Sequence, residues 1–145
     1  MSFSWEPFGP SRREGPAAEP APTAPAREPA LQLAVLTCMD CRIDPLRALG
    51  LQLGDAVVLR NAGGQWSDDV ARGLRLSLGL GVTRVHVVAH TDCAAHGGDD
   101  AAAERGAQRT ADKIRAAIPE LEVRAGLLDL GTGLSRPAAA PPPSG

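Results

Sequence analysis

Leu31-Gln-Leu-Ala-Val-Leu-Thr-Cys-Met-Asp-Cys-Arg42 is the stretch on which the fold turns: a short apolar run that stops abruptly in sulfur and charge. A run of this length, bounded by polar residues, is the pattern of a buried strand. The next segment is helical. Asp44 before Pro45 gives an N-cap and first-turn signal, and Gly50 a stop. Ala56-Val-Val-Leu59 reads as a second strand running into the loop Arg60-Asn-Ala-Gly-Gly64. Ser67, Asp68 and Asp69 open a helix whose acids suit its N-terminal dipole, and Val70, Leu74 and Leu78 trace its apolar face up to Gly81. Arg84-Val-His-Val-Val-Ala89 is a β-branched third strand, a polar stretch and a helix around 107–117 come after it, and Leu121–Leu130 reads as a last strand closed by Gly-Thr-Gly. Strands alternating with helices predict an α/β sheet, mostly parallel, with helices on both faces.

Outside this unit the composition changes. Seven of the 13 prolines lie within residues 1–30 and four within 137–145. Residues 1–29 are therefore expected to be a disordered Pro/Ala-rich arm, 30–136 the folded domain, and 137–145 a disordered tail. Trp66 is the only aromatic of the domain, so its core must be built from Leu, Val, Ile and Ala. A formal charge of −2 with scattered arginines predicts no hold on nucleic acid or anionic membrane. No apolar stretch approaches the roughly 18–20 residues that span a bilayer. The first residues lack the basic and apolar regions of a secretory leader, which points to a cytoplasmic protein. In that reducing setting three cysteines read as metal ligands or reactive thiols rather than as a disulfide framework.

Sites in open parallel sheets form beyond the carboxyl ends of strands. The first strand ends in Thr37-Cys-Met-Asp-Cys-Arg42 and the third in Ala89-His-Thr-Asp-Cys93. With the two strands as parallel neighbours, Cys38, His90 and Cys93 emerge at one edge. Two thiolates and an imidazole form a soft three-ligand set that suits zinc; a structural zinc would want a fourth protein ligand, whereas a catalytic one leaves that position to water. Asp40 and Arg42 come soon enough after the first ligand to project into the same crevice, where the arginine would keep the carboxylate ionised and oriented.

The elements Cys38-Met-Asp-Cys-Arg42, Gly54-Asp-Ala-Val-Val-Leu-Arg-Asn-Ala-Gly-Gly64 and Val87-Val-Ala-His-Thr-Asp-Cys93, in this order, resemble the β-class carbonic anhydrases. The resemblance covers about residues 31–99, with a weaker echo in the last strand. It implies one zinc ion per chain on Cys38, His90 and Cys93, with the Asp40–Arg42 pair beside it as the catalytic dyad. It also implies a mostly parallel sheet with one antiparallel edge strand, and a homodimer or higher homo-oligomer. The implied activity is reversible hydration of CO2 to bicarbonate by a metal-bound hydroxide, with Gly63 bringing the backbone of the Arg-Asn-Ala-Gly loop close to the site. Departures are visible. Cys41 stands where the family usually has Ser, Ala94 where it has Gly, and the stretch between Cys93 and the last strand is short.

Two rival functions share these residues. A family member weak toward CO2, or one acting on carbonyl sulfide or carbon disulfide, would carry the same zinc site. A thioredoxin-like dithiol would instead use Cys38 and Cys41, with Pro119 as that fold's proline, and would leave His90 and Cys93 without a role. On the zinc reading, Cys41 is expected to pack as a small side chain beneath the site, His86 to be a core or helix-facing histidine, and His96 to be solvated. Arg60, at a strand end, is read as either a surface arginine or one arm of an ion pair near the site.

Overall fold

The structure, a computed structural model, describes residues 26–139. Its elements are β1 (Leu33–Cys38), α1 (Pro45–Leu49), β2 (Ala56–Asn61), α2 (Asp68–Gly79), β3 (Arg84–His90), α3 (Asp100–Ala117), β4 (Glu122–Leu128) and β5 (Ser135–Pro137), with a 3-10 turn at Ala94–His96. Five strands form one sheet in the order β2-β1-β3-β4-β5. The first four are parallel and β5 runs antiparallel to β4, which is the edge strand the resemblance implied.

Local chemistry accounts for most of the boundaries. The Asp44 side chain accepts from the Arg47 N–H at 3.3 Å, and Gly50, at φ +67°, ends α1. The Ser67 hydroxyl accepts from the Val70 N–H at 3.1 Å and opens α2. Two elements depart from the sequence reading. α3 starts at Asp100 rather than near 107, because Asp99 caps it through the Ala102 N–H and three alanines come next. The last parallel strand stops at Leu128, since the Asp129 carboxylate accepts from the N–H groups of Gly131 and Thr132 and turns the chain into β5. Pro137 belongs to that edge strand and the Ala138 N–H donates to the Ala125 carbonyl, so the sheet runs past the boundary expected after 136. The expectations for the arm and tail otherwise fall on residues 1–25 and 140–145, outside the described residues.

Connectivity places the functional end of the sheet. From β1 the chain steps to one side to reach β2, then crosses back over β1 to β3 and continues to β4. Right-handed crossovers therefore put α1 on one face and α2 and α3 on the other. The direction reverses between β1 and β3, so their carboxyl ends flank the switch point where ligands bind in such sheets. The core lies under α2 and α3. It is aliphatic, with Leu36, Leu74, Val85 and Ile114 fully buried. α3 meets the sheet through Ala103, Gly106, Ala107, Thr110, Ala111 and Ile114, a stripe of mostly small residues at helical spacing. Among the described residues, the one helix on the opposite face is α1, five residues long and with none of them buried. Val58 is 37% exposed there, and a groove of ≈ 190 Å³ opens between Leu49, His86, Val88, Arg124 and Pro137.

Candidate metal centre

Cys38 is the last residue of β1, His90 the last of β3, and Cys93 comes three residues later, before the 3-10 turn. All three are buried, and their donor atoms lie within 4.8 Å of one another. The two sulfurs are 3.9 Å apart. Burial, and the neighbouring Cys38 sulfur, push the Cys93 thiol up, and a bound cation would favour its thiolate.

The histidine is set up for the same cation. Its Nδ1 lies 2.7 Å from the Thr91 carbonyl, a bond only an N–H can make, which leaves Nε2 as the unprotonated nitrogen. That Nε2 is buried and has no hydrogen-bond partner among the described residues. A buried polar atom without a partner is costly and calls for an explanation. Two sulfurs converging beside it provide one: the set suits a soft, four-coordinate divalent ion, with zinc the best match.

Asp40 stands over this set. Its Oδ2 is 3.9 Å from His90 Nε2. Arg42 donates to Oδ1 through its main-chain N–H at 2.8 Å and Nε at 3.0 Å, and to Oδ2 through Nη2 at 2.7 Å. This grip holds the Asp40 carboxyl well below the usual carboxylate range. The same guanidinium reaches across the switch point. Nη1 donates to the Asp92 carboxylate at 3.1 Å and Nη2 to the Asp92 carbonyl at 3.0 Å. Asp92 is itself held at φ +53°, with its N–H donating to the Asp100 carboxylate at 2.8 Å. Asp92 has no part in the sequence reading beyond its place in the quoted motif. Its position between two ligands was the signal available.

The loop after β2 closes the site from the other side. The Gly63 N–H donates to Cys38 Sγ at 3.3 Å, as the close approach of that loop predicted. Gly64, at φ +60°, is pressed against β1, where a Cβ would stand 2.9 Å from the Thr37 carbonyl carbon. Arg60 makes no ion pair among the described residues. Its Nε donates to the Cys38 carbonyl at 2.9 Å and its Nη2 to the Asp40 carbonyl at 2.8 Å. The arginine that sequence assigned to a salt bridge or to solvent thus binds the main chain of the ligand turn.

The remaining candidates separate. His86 is half-buried on the α1 face of β3, four residues back from His90, as expected of a helix-facing histidine. Cys41 is exposed rather than packed beneath the site, because the turn after Cys38 points it away from the sheet. Cys38 has Cys93, not Cys41, as its sulfur neighbour, which speaks against the Cys38–Cys41 pair that a thioredoxin-like dithiol would use. His96 is part-exposed rather than fully solvated. Its Nε2 is buried, and its ring lies so close to α3 that a Cβ on Gly106 would stand 2.6 Å from Cε1. Glycines at 97 and 98, both at positive φ, fold the 3-10 turn back under the helix and carry the ring there. Gly106→Ala, which in an open helix gains about 1 kcal/mol, is therefore expected to lower the thermal midpoint by about 5 °C, as overpacking does. In a His96→Ala background the same change should raise the midpoint, and calorimetry of the four chains checks this.

An α/β sheet with a Cys-His-Cys donor set at its switch point, flanked by an arginine-gripped aspartate, defines a metal-site protein of the β-carbonic anhydrase fold. The carbonic anhydrase family profile matches residues 33–128, and the chain belongs to the β-class of that family. It is 44% identical over 66 residues to beta-carbonic anhydrase 1 of Mycobacterium bovis, a match covering 45% of this chain and 40% of that protein. It is 46% identical over 63 residues to a carbon disulfide hydrolase of Acidianus sp., covering 43% and 31%. The chain thus matches well under half the length of either relative. Among solved structures, a carbonic anhydrase from Streptococcus mutans superposes with a TM-score of 0.74 at 28% identity, over 83% of this chain and 88% of that one.

Proposed function

We propose that this protein hydrates CO2 reversibly to bicarbonate with a zinc ion held by Cys38 Sγ, His90 Nε2 and Cys93 Sγ. The observation that carries the reading is the buried, partnerless His90 Nε2 between two buried sulfurs, with the Asp40 carboxylate 3.9 Å away. A zinc ion bound there would supply hydroxide at neutral pH, by lowering the pKa of its water to about 7. The protein's own part is to aim it. Asp40, ionised and unable to rotate in Arg42's grip, accepts a hydrogen bond and leaves an oxygen lone pair facing the substrate. Arg42 fixes Asp40, and Asp92 fixes Arg42. The Gly63 N–H donates to Cys38 Sγ and, with a metal bound, would draw charge from that sulfur and leave the ion more electrophilic.

A second reading has its own support, the likeness to a carbon disulfide hydrolase. Both substrates are small, linear and apolar, and the same residues would serve. Stopped-flow CO2 hydration on zinc-loaded protein tests the proposal, with sulfide release from carbon disulfide measured on the same sample. Hydration that disappears on chelation and returns with zinc supports it. Sulfide release without hydration overturns it in favour of the second reading.

We infer, further, that the chain works as a homodimer or larger assembly in the cytoplasm. The face left to α1 exposes apolar side chains that a second copy would cover, and all three cysteines are free, which suits a reducing compartment. No helix among the described residues is long and apolar enough to cross a membrane. Sedimentation at micromolar concentration should give a dimer or more, and the same result for a chain lacking residues 1–29. A monomer in the full chain would refute the assembly, and a monomer only in the shortened one would assign it to the arm.

A further inference from the structure

We propose that Arg60 is a positioning residue of the metal centre, holding the ligand turn so that Cys38 and Asp40 face one point. The inference rests on reading Cys38, His90 and Cys93 as metal donors. The sheet ends just where that turn begins. The last main-chain rung between β1 and the loop after β2 is the Met39 N–H to the Asn61 carbonyl. Beyond it the Gly63 N–H is turned onto Cys38 Sγ instead of onto another carbonyl.

The turn from Cys38 to Arg42 therefore leaves the sheet without a ladder to define it. Within it the Ile43 N–H closes the turn on the Asp40 carbonyl at 3.2 Å, and Arg60 ties that turn back to the end of β2. Its guanidinium spans the carbonyls of Cys38 and Asp40, with both N···O distances under 3 Å. A planar fork holds two acceptors two residues apart in a fixed geometry, whereas an ammonium's three donors rotate and set no plane. Each carbonyl belongs to a residue whose side chain matters at the site, one as donor and one as clamped carboxylate. Asp40 is thus gripped at both ends, by Arg60 at its carbonyl and by Arg42 at its carboxylate. The arginine is exposed, so its fold-wide stabilising effect is small, and its influence falls on the turn it touches.

The test compares wild type, Arg60→Gln and Arg60→Lys for zinc affinity, by competition with a chromophoric chelator, and for the visible spectrum of the cobalt(II)-substituted protein. Arg60→Gln should bind zinc about tenfold more weakly, as outer partners of metal ligands do when lost. It should also change the cobalt spectrum, with Arg60→Lys falling between it and wild type. A lower melting temperature with unchanged affinity and spectrum would reduce Arg60 to a structural residue and overturn the proposal. If Arg60→Gln does not fold, Arg60→Lys decides: native affinity and spectrum refute, weaker binding supports. A wild type that binds zinc but hydrates no CO2 would sink the proposed activity while leaving these two readouts to judge Arg60.

Discussion

Cys93→Ser should leave the purified protein nearly free of zinc, against about one ion per chain in the wild type. Structural zinc in small domains is worth roughly 12 kcal/mol, so one of three protein ligands accounts for about 4 kcal/mol, or some three orders of magnitude in affinity. A serine hydroxyl does not ionise to replace a thiolate. The loss should therefore exceed what burying one unsatisfied hydroxyl costs, about 1–3 kcal/mol. Cys93 is 1% exposed, so the variant incurs that penalty as well and should melt earlier. Cys41→Ser is the control: that residue is exposed, and its zinc content should equal wild type. Metal analysis and calorimetry on the three proteins check the set. A wild type that folds normally without zinc, or a Cys41 variant that loses it, would contradict the donor assignment.

Asp40→Asn should keep zinc and lose about a hundredfold in hydration rate, the usual scale for a misplaced proton acceptor. Both carboxylate oxygens of Asp40 accept from Arg42. An amide offers one oxygen and presents an N–H2 where an acceptor is required. Arg42→Ala should fall by a similar amount for a different reason, because Asp40 stays charged but loses its direction. The two changes disable one unit, so the double variant should be little worse than either single. Zinc affinity decides between roles. If Asp40→Asn sheds zinc as Cys93→Ser does, Asp40 is a fourth ligand and its catalytic role is refuted.

The parts of this architecture that were legible in the chain are those encoded by neighbours in sequence. The buried run before Cys38, the caps at Asp44 and Ser67, and the β-branched run before His90 each declare themselves within a few residues. The convergence of Cys38, His90 and Cys93 was legible for a further reason, since two strands ending in sulfur and imidazole need only be adjacent to bring them together. What failed did so where tertiary approach decides. The first turns of α3 were hidden behind two glycines, and β5 is three residues long with a proline in it. His96 looked solvated because its burial depends on a missing Cβ ten residues away at Gly106. Arg60 was readable as a surface arginine, which its exposure matches, or as half of an ion pair, whereas its partners are carbonyls that no residue type advertises. Asp92 acts through an arginine 50 positions earlier.

The distance in sequence between the two halves of the donor set also orders events in time. Cys38 and Cys93 are separated by 55 positions and come together only when β1 and β3 pair in register. Closing a loop of that length costs entropy before any contact offsets it, and parallel pairing is slow for that reason. The complete Cys38, His90, Cys93 set does not exist on a nascent chain until residue 93 has been synthesised, so capture by the full set cannot precede the pairing of β1 with β3. In a refolding experiment cobalt(II) absorbance should therefore rise with the last structural phase, not with the formation of helix signal. Metal uptake becomes a clock for the central strand pairing, read without a label.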